Sequence, residues 1–318
     1  YFKTYADSGN GPTDVNSNSS NVQYPATQGN FNVANTTCNI TQPDPFFKAN
    51  GGNTYSASSI RSIQFNSDSY FANDDEPIVI ASGTVSVGTP DKVSNNNRVI
   101  KNSGYVIRDG SNINYNNLYS KYSQQINSPQ NANPSMINGG YHLVSGDANN
   151  FTRLSDIITT DKATLDNQKS SVIFIPGSLY VDRNFDIKAD GKTSLTFIVA
   201  KNIGVASTVN KISGIFIFDG YFDSECNESS HLNNQNSCNP SASSAPPDST
   251  LSIEGMVFSS GKVQEGNNSK FSGFILDRKG RLGFNSVPGE VFTFRPDLLF
   301  SNNTTLGKKT TFWTEDPQ

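Results

Sequence analysis

The chain has 318 residues, of which 34% are hydrophobic and 16% are charged, so both classes are scarcer than in typical globular domains. That composition excludes a coiled coil or helical bundle, and 21 Phe and 12 Tyr residues with a net charge of −4 exclude a disordered chain. A pI near 5.2 argues against a nucleic-acid-binding protein, and the lack of a run of eighteen apolar residues predicts no membrane span within these residues.

The N-terminal part of the sequence predicts short strands. Residues 1–75 are polar, contain scattered aromatic residues and lack a helical period, which predicts a β-rich segment or an assembly arm. Residues 76–110 contain two short β-branched runs, at 78–81 and 84–87, that predict strands joining a larger β framework. No initiator Met or leader peptide opens the sequence, so we expect a processed chain or a part of a longer one.

Residues 111–170 depart from this pattern and predict a partly helical excursion. Two stretches, 117–123 and 155–160, are compatible with helices, and an Asn-, Pro- and Gly-rich connection lies between them. Three tyrosines would share one face of the first helix, where they could pack into a core or stack on sugars: Tyr115, Tyr119 and Tyr122.

The strongest signal is a recurrence of short apolar strands and small-residue corners over residues 171–295. Phe174, Phe197 and Phe216 lie in successive units, 23 and 19 residues apart. A repeat of about twenty residues with Gly and Asn corners is typical of one coil of a β-helix, which buries its apolar face by stacking on the next coil. We therefore predict a mostly β fold, a right-handed parallel β-helix with a small helical insertion, in which the three phenylalanines are buried. An antiparallel β-sandwich is the alternative.

Residues 223–250 interrupt this period and predict a loop ejected from one corner. Cys226 and Cys238 flank a short polar stretch of the loop without the C-x-x-C spacing of zinc or thioredoxin sites, which predicts a disulfide rather than two exposed thiols. Cys38 is then a buried thiol or an intermolecular bridge. A disulfide, few Lys residues and abundant Asn, Ser and Thr predict a secreted or cell-surface protein.

The order of several motifs is similar to the C-terminal regions of large secreted surface proteins of ultra-small candidate-phylum bacteria. Their rungs resemble those of bactofilin-type, polymer-forming β-helices. The motifs that carry the resemblance lie at 174–187, 195–205, 214–220, 251–258, 294–299 and 313–317. The resemblance covers about 75–318, implies a surface or appendage protein, and implies no active site. It leaves residues 1–75 unexplained, and the loop at 223–250 departs from the compact bactofilin pattern.

Enzymatic chemistry has a few candidate residues in this sequence. Secreted β-helices often cleave acidic polysaccharides with paired carboxylates, and four aspartates at predicted corners could serve: Asp182, Asp186, Asp219 and Asp223. Asp also occurs at turns because its side chain caps them, which is the interpretation we favour. His142 and His231 lie in Gly- or Asn-rich loops, where exposure is expected, and the acidic run 74–76 lacks the spacing of a calcium-binding loop. We expect no catalytic site, no metal and no cofactor.

The resulting hypothesis is a structural subunit of an extracellular surface layer or filament that assembles head to tail from identical copies. The strand before 296 and the C-terminal tail, 296–318, supply apolar residues for this contact, unless they fold back as a local lid: Phe292, Phe294, Leu298, Leu299, Phe300, Phe312 and Trp313. Contact between two different surfaces produces filaments or sheets rather than closed dimers. The rival hypothesis is a secreted polysaccharide-binding or polysaccharide-cleaving β-helix, and cell-envelope carbohydrate is a candidate partner for either.

Overall fold

The computed structural model of the chain shows a mostly β fold in which nearly all strand pairs are parallel. The residues that it describes are 28–33, 36–41, 47–50, 54–56, 60–62, 79–81, 85–87, 99–100, 113–146, 151–159, 163–226, 250–260, 273–276, 278 and 288–301.

The described elements are mostly strands of three to nine residues. The strands are β1 (Gln28–Val33), β2 (Thr36–Thr41), β3 (Phe47–Asn50), β4 (Thr54–Ser56), β5 (Ile60–Ser62), β6 (Val79–Ala81), β7 (Val85–Val87), β8 (Val99–Ile100), β9 (Gly140–Leu143), β10 (Phe151–Arg153), β11 (Ala163–Leu165), β12 (Ser170–Ile175), β13 (Ser178–Val181), β14 (Phe185–Ile187), β15 (Ser194–Val199), β16 (Ile203–Ala206), β17 (Lys211–Phe218), β18 (Tyr221–Cys226), β19 (Leu251–Ser259), β20 (Gly273–Ile275) and β21 (Glu290–Thr293). The helices are α1 (Tyr115–Tyr122), α2 (Leu154–Ile157), α3 (Pro296–Ser301) and a 3₁₀ helix at Pro134–Ile137.

Two parallel sheets form the framework, which we call the stack. The larger sheet has the order β3-β21-β19-β17-β15-β12-β9, and the smaller has the order β10-β13-β16-β18-β20. From β15 to β21, successive strands alternate between the two sheets and pair in parallel with strands of neighbouring units. β11 and β14 pair with each other in a separate two-stranded parallel sheet. Parallel pairing through β12, β15 and β17 shows that the antiparallel sandwich alternative is wrong for this region.

The strand register places the recurring aromatic residues on two faces of the larger sheet. Phe197 is aligned with Phe216 and with Ile173, whereas Phe174 is aligned with Ile198. Successive side chains of a strand point to opposite faces, so Phe174 lies on the face opposite to Phe197. All three phenylalanines are fully buried, as predicted, because both faces of β12 and β15 are covered.

The inner face of the larger sheet is packed by aromatic rings. Phe197 and Phe216 stack with their ring centroids 5.6 Å apart, and Phe185 from β14 meets both rings edge-on at 6.5 and 6.4 Å. Stacked and edge-to-face rings at these separations contribute beyond the apolar area that they bury. The centre of the stack is therefore a dry aromatic core.

The outer face of the larger sheet is covered by α1. The rings of Tyr115 and Tyr119 lie 6.0 and 5.9 Å from the ring of Phe174. The side chain of Asn114 caps the helix by accepting a hydrogen bond from the backbone N–H of Asn117, at 3.0 Å. The helix predicted at 117–123 is thus present, and its tyrosines pack into the core.

The second predicted helix is shorter than expected. Only Leu154–Ile157 is helical, and the chain is already extended at Ile158. The run of β-branched residues from Ile157 to Thr160 disfavours helix and explains the early end. The chain continues into β11, where Leu165 is buried.

The N-terminal strands form a hairpin and further parallel pairs. β1 and β2 pair antiparallel, whereas β4 pairs in parallel with β6, β6 with β8, and β5 with β7. The pairs β4–β6 and β5–β7 each join a strand from residues 1–75 to a strand from residues 76–110, and so cross the predicted boundary. Parallel pairing of strands therefore begins before residue 76.

Candidate functional site

One edge of the larger sheet, at β9, is covered by the chain itself. Residues 126–130 run beside this strand, with parallel bridges from Ile126 to Tyr141 and from Gln130 to Val144. The N–H of Gln130 donates to the carbonyl of Leu143 at 3.0 Å. The backbone groups of β9 are therefore engaged on both sides, and this edge does not present a bare ladder to a neighbouring molecule.

The core beneath β9 is closed by the 3₁₀ helix and by His142. Met136 in this helix is fully buried, and Asn133 caps the helix by accepting from the N–H of Ser135 at 2.9 Å. The expectation of an exposed loop histidine is wrong for His142, which lies in β9 with 7% of its surface exposed. Strand alternation turns it to the inner face beside Ile173, where its ring nitrogens contact the carbonyl of Gly139 and the side chain of Gln130.

The opposite edge of the larger sheet is occupied by the N-terminal strand β3. Phe292 and Thr293 of β21 are aligned in parallel with Ala49 and Asn50. The N–H of Phe294 donates to the carbonyl of Asn50 at 3.0 Å, and the two polar side chains, Asn50 and Thr293, are 3.5 Å apart. We call this pairing of β21 with β3 the joint. It brings together residues 243 positions apart in the sequence.

The predicted assembly residues divide into distinct environments around the joint. Leu298 is fully buried within its own chain, Phe292 is half-buried with its ring 6.4 Å from Phe274, and Phe294 is 37% exposed. The backbones of Leu299 and Phe300 belong to α3. Two further candidates, Phe312 and Trp313, lie outside the described residues. Among the predicted contacts whose side chains the structure describes, Phe294 is the one that is exposed.

One set of aligned side chains on the smaller sheet becomes more exposed towards the joint. Leu179, Ile203 and Phe222 are aligned in that set and are each fully buried. Phe274, the next residue in the set, is 37% exposed. Among the described strands, β20 is the last of this sheet. It pairs with β18 on one side and with no described strand on the other.

Two of the candidate catalytic aspartates hold helix N-termini. Asp182 accepts a hydrogen bond from the N–H of Ser155 in α2 at 2.9 Å, and Asp219 accepts one from the N–H of Tyr115 in α1 at 3.1 Å. A carboxylate at a helix N-terminus satisfies a backbone donor and complements the helix dipole. Both aspartates thus cap helices that are distant in the sequence, rather than the local turns that were expected.

Asp223 is almost fully buried, at 1% exposure, in β18 of the smaller sheet. It accepts a hydrogen bond from the N–H of Glu225 at 3.0 Å. Burial, assisted by the charge of Asp223, raises the pKa of Tyr221 to about 12. The carboxylate therefore stands in a closed, strand-bound environment.

Asp186 belongs to a chain of alternating charges along one side of the stack. Lys211 bridges Asp186 and Glu254 at 2.9 Å each, and Arg295 contacts Glu254 at 3.2 Å and Asp297 at 2.7 Å. Burial acts to raise the pKa of the Asp186 carboxyl, but hydrogen bonds from Lys211 and from Ser213 outweigh it and hold the pKa below its ordinary value. We call this network the charge ladder. It ties β14, β17 and β19 to the residues after β21.

A buried arginine, which the sequence did not single out, ties the strands near the joint. The guanidinium of Arg278 donates to the carbonyls of Val209 at 2.6 Å, Ser224 at 2.7 Å and Ala206 at 2.8 Å. Its backbone N–H donates to Glu290 of β21, which also accepts from the hydroxyl of Ser224. A lone Arg in a polar stretch carries no local signal of burial, because the acceptors come from distant strands.

The cysteine predictions are tested only at one residue. Cys226 takes part in a disulfide and is 3% exposed at the end of β18. Cys238 lies outside the described residues, so the pairing of Cys226 with Cys238 stays a prediction. Cys38 lies in β2 and is aligned with Phe31. His231 and the acidic run 74–76 also lie outside the described residues.

An apolar groove lies between α1 and the outer face of the larger sheet. Its volume is about 720 Å³, and Ile217, Met256 and Phe258 form its floor. Asn117 and Lys121 of α1 stand on its rim. Its lining is mainly apolar, with Asn117, Ser120 and Lys121 as the polar members.

Within the described ranges, no three His, Cys, Asp or Glu side chains are placed to hold a metal ion. The helices of that same part of the chain are too short or too polar to cross a membrane. Comparison with protein-family models, with curated proteins and with solved structures finds no match for the chain.

Proposed function

We propose that the chain is a right-handed parallel β-helix that serves as a non-catalytic, self-assembling subunit of an extracellular surface layer or filament. The observation that carries this proposal is the joint. At the joint, the edge of the stack receives a strand from a distant part of the sequence in regular parallel register. An edge that accepts an added strand is the feature that a linear assembly of stacked units requires.

The register supports the β-helix. The residues aligned in β12, β15, β17 and β19 are Ile173, Phe197, Phe216 and Val257, at intervals of 24, 19 and 41 residues. The last interval is about twice the others and contains the predicted loop at 223–250, as expected if this loop is ejected from one coil. Parallel strands joined by crossovers are right-handed in almost all proteins, which supports the proposed hand.

The environments of the four aspartates favour a structural role over catalysis. Asp182 and Asp219 cap helices, Asp186 is paired with Lys211, and Asp223 is almost fully buried. A retaining or inverting glycosidase needs two carboxylates that flank a substrate-accessible bond. Carboxylates already engaged in backbone hydrogen bonds and ion pairs are poorly suited to that work.

The disulfide at Cys226 supports a location outside the cytosol. Disulfides persist in oxidising compartments such as the periplasm and the extracellular space. The resemblance of the rungs to those of secreted bacterial surface proteins points to the same location. A low net charge of −4 also places little repulsion between closely packed copies.

The test is the solution state of the purified chain over a wide range of concentrations. We expect sedimentation velocity and negative-stain electron microscopy to show open-ended assemblies whose fraction rises with concentration. A panel of pectin and peptidoglycan substrates should release no sugar. A chain that stays monomeric throughout and releases sugar would overturn the proposal in favour of the polysaccharide-active alternative.

A further inference from the structure

The joint differs from the other strand pairs of the larger sheet in how it is made. β17 and β19 are aligned over eight residue pairs and are linked by a continuous part of the chain. β21 and β3 are aligned over four pairs, as β15 with β17 and β19 with β21 also are, but they come from opposite ends of the chain. A short pairing between distant segments can open without breaking the strands on either side.

The aromatic side chains described at and beside the joint are more exposed than those in the centre of the stack. Phe197 and Phe216 are fully buried, whereas Phe274 next to the joint is 37% exposed and Phe292 is half-buried. The hydrophobic contribution scales with the apolar area removed from water. Opening the joint therefore exposes less additional apolar surface than separating β15 from β17 would.

Resting on the function proposed above, we infer that β3 of one copy pairs with β21 of the next copy, in the register seen within the chain. The joint is then the contact that links copies by strand exchange. A second copy presents the same four residues, so the exchanged pairing makes the same hydrogen bonds as the internal one.

The geometry of the two edges makes this exchange directional. The β9 edge is covered by residues 126–130, so it does not compete with β21 as an acceptor. A contact in which β3 donates and β21 accepts joins two different surfaces. Such a head-to-tail contact adds copies without closing a two-fold dimer.

The covalent connection is long enough for the internal joint, and an exchanged joint requires the β21 of the next copy to lie within the same reach. Residues 101–112 separate β8 from Ile113, and thirteen Cα steps reach at most about 45 Å. β3 lies three strand positions from β17, whose end is bonded to α1 through Asp219, and β8 lies two positions from β4. Five strand spacings amount to about 24 Å, well within that reach. The tether gives the internal joint an effective concentration of about millimolar order, so exchange between copies is favoured where copies are crowded.

The test locks the joint within one molecule. Asn50 and Thr293 are aligned neighbours, and the spacing of adjacent strands suits a disulfide. In the double variant Asn50→Cys/Thr293→Cys, oxidation at low concentration should close the joint covalently. We expect the locked chain to lose assembly when it is concentrated and to regain it on reduction.

The matched control places the same chemistry on a strand pair away from the joint. Asp166 and Lys188 form an exposed ion pair beside the aligned strands β11 and β14. The variant Asp166→Cys/Lys188→Cys should assemble like the unmodified chain in both oxidised and reduced states. This control also accounts for any effect of the reductant on the natural disulfide at Cys226.

A second measurement detects exchange directly. Chains carrying only Asn50→Cys and chains carrying only Thr293→Cys are mixed, concentrated and oxidised. Exchange predicts covalent dimers on a non-reducing gel, whereas a mixture of Asp166→Cys and Lys188→Cys chains should form none.

The outcomes separate this inference from the function on which it rests. If the locked chain assembles as well as the reduced chain, or the mixed single variants give no dimer within assemblies, strand exchange is wrong and another contact joins the copies. If the unmodified chain forms no assemblies at any concentration, the proposed structural function itself fails.

Discussion

The middle of the stack, β12 to β18, and the end formed by β20, β21 and β3 are stabilised by different interactions. The middle contains rings that exclude water completely, with Phe197 and Phe216 stacked 5.6 Å apart. The end has a partly exposed Phe274, the buried guanidinium of Arg278 and the last two members of the charge ladder, Arg295 and Asp297. One repeated strand pattern can therefore have a dry apolar centre and a polar, less completely buried end. An exchangeable contact is expected at the second of these.

The largest expected difference separates two phenylalanines. Replacing Phe197 with Ala should lower the free energy of unfolding by about 3–5 kcal/mol, because a fully buried ring leaves a cavity. Replacing Phe274 with Ala should cost only about 1–2 kcal/mol, since part of this ring already contacts water. Urea unfolding followed by circular dichroism measures both changes. Equal costs would contradict the contrast between the middle and the end.

The buried arginine tests the polar character of the end. Replacing Arg278 with Met should cost about 3 kcal/mol, because the backbone carbonyls that its guanidinium reaches would lose a charged donor. Arg278→Lys should recover part of this loss, since an ammonium lacks the planar fork of a guanidinium. Arg183 is the matched control, because its buried Nε has no acceptor within the described part of the chain. If Arg183→Met lowers the thermal stability as much as Arg278→Met does, the hydrogen bonds of Arg278 are not what stabilises the end of the stack.

Substitutions at two glycines, Gly255 and Gly191, test how closely the backbones of β17 and β19 approach each other. Gly255 in β19 has a φ of +140°, and a Cβ there would lie 2.0 Å from the carbonyl oxygen of Gly214. Gly255→Ala should therefore cost about 2–3 kcal/mol in unfolding experiments. Gly191 also has a positive φ, of +64°, but nothing lies within 4 Å of its added Cβ, so Gly191→Ala should cost about 1 kcal/mol. A smaller loss at Gly255 than at Gly191 would show that the backbones can move apart.

The smallest effect is the pH dependence of the charge ladder. The folded-state pKa of Asp186 is lowered, so its contribution is present above the ordinary carboxyl pKa of about 4 and is lost as the pH falls through the folded value. Burial acts to lower the pKa of Lys211, but the hydrogen bonds that its ammonium donates to Asp186 and Glu254 raise it overall. The contribution of Lys211 is therefore full below about pH 10 and is lost as the pH rises through its folded value.

The measurement compares unfolding at pH 6 and pH 3 for the unmodified chain and for Lys211→Met. Because the ladder is partly exposed, we expect Lys211→Met to remove at most about 1 kcal/mol at pH 6 and less at pH 3. Lys188→Met removes a more exposed pair with Asp166 and should have a smaller effect. If the effect of Lys211→Met on the free energy of unfolding is the same at both pH values, the charge ladder is not its cause.

Several features were predictable because they depend on local pattern. The apolar strands of 171–295, their parallel pairing and the burial of Phe174, Phe197 and Phe216 follow from the repeat. These predictions needed only the period of a strand and the conformational preferences of corner residues.

Other features depended on distances that no local pattern encodes. His142 was expected in an exposed loop. It lies in β9 instead, where the alternation of side chains along the strand points it into the core. Arg278 has the sequence surroundings of a surface residue, and only the convergence of Ala206, Val209 and Ser224 makes it a buried anchor. Such roles arise from groups that are far apart in the chain and become neighbours on folding.

By itself, the sequence determined the mostly β character of the chain, its apolar strands and its Gly- and Asn-rich corners, because these follow from side-chain size and from the backbone angles that each residue tolerates. Only the tertiary structure decided which face each ring occupies, since register depends on the length of every intervening corner. It alone decided that β3 closes the edge of β21, because edge pairing uses backbone N–H and C=O groups that nearly every residue carries.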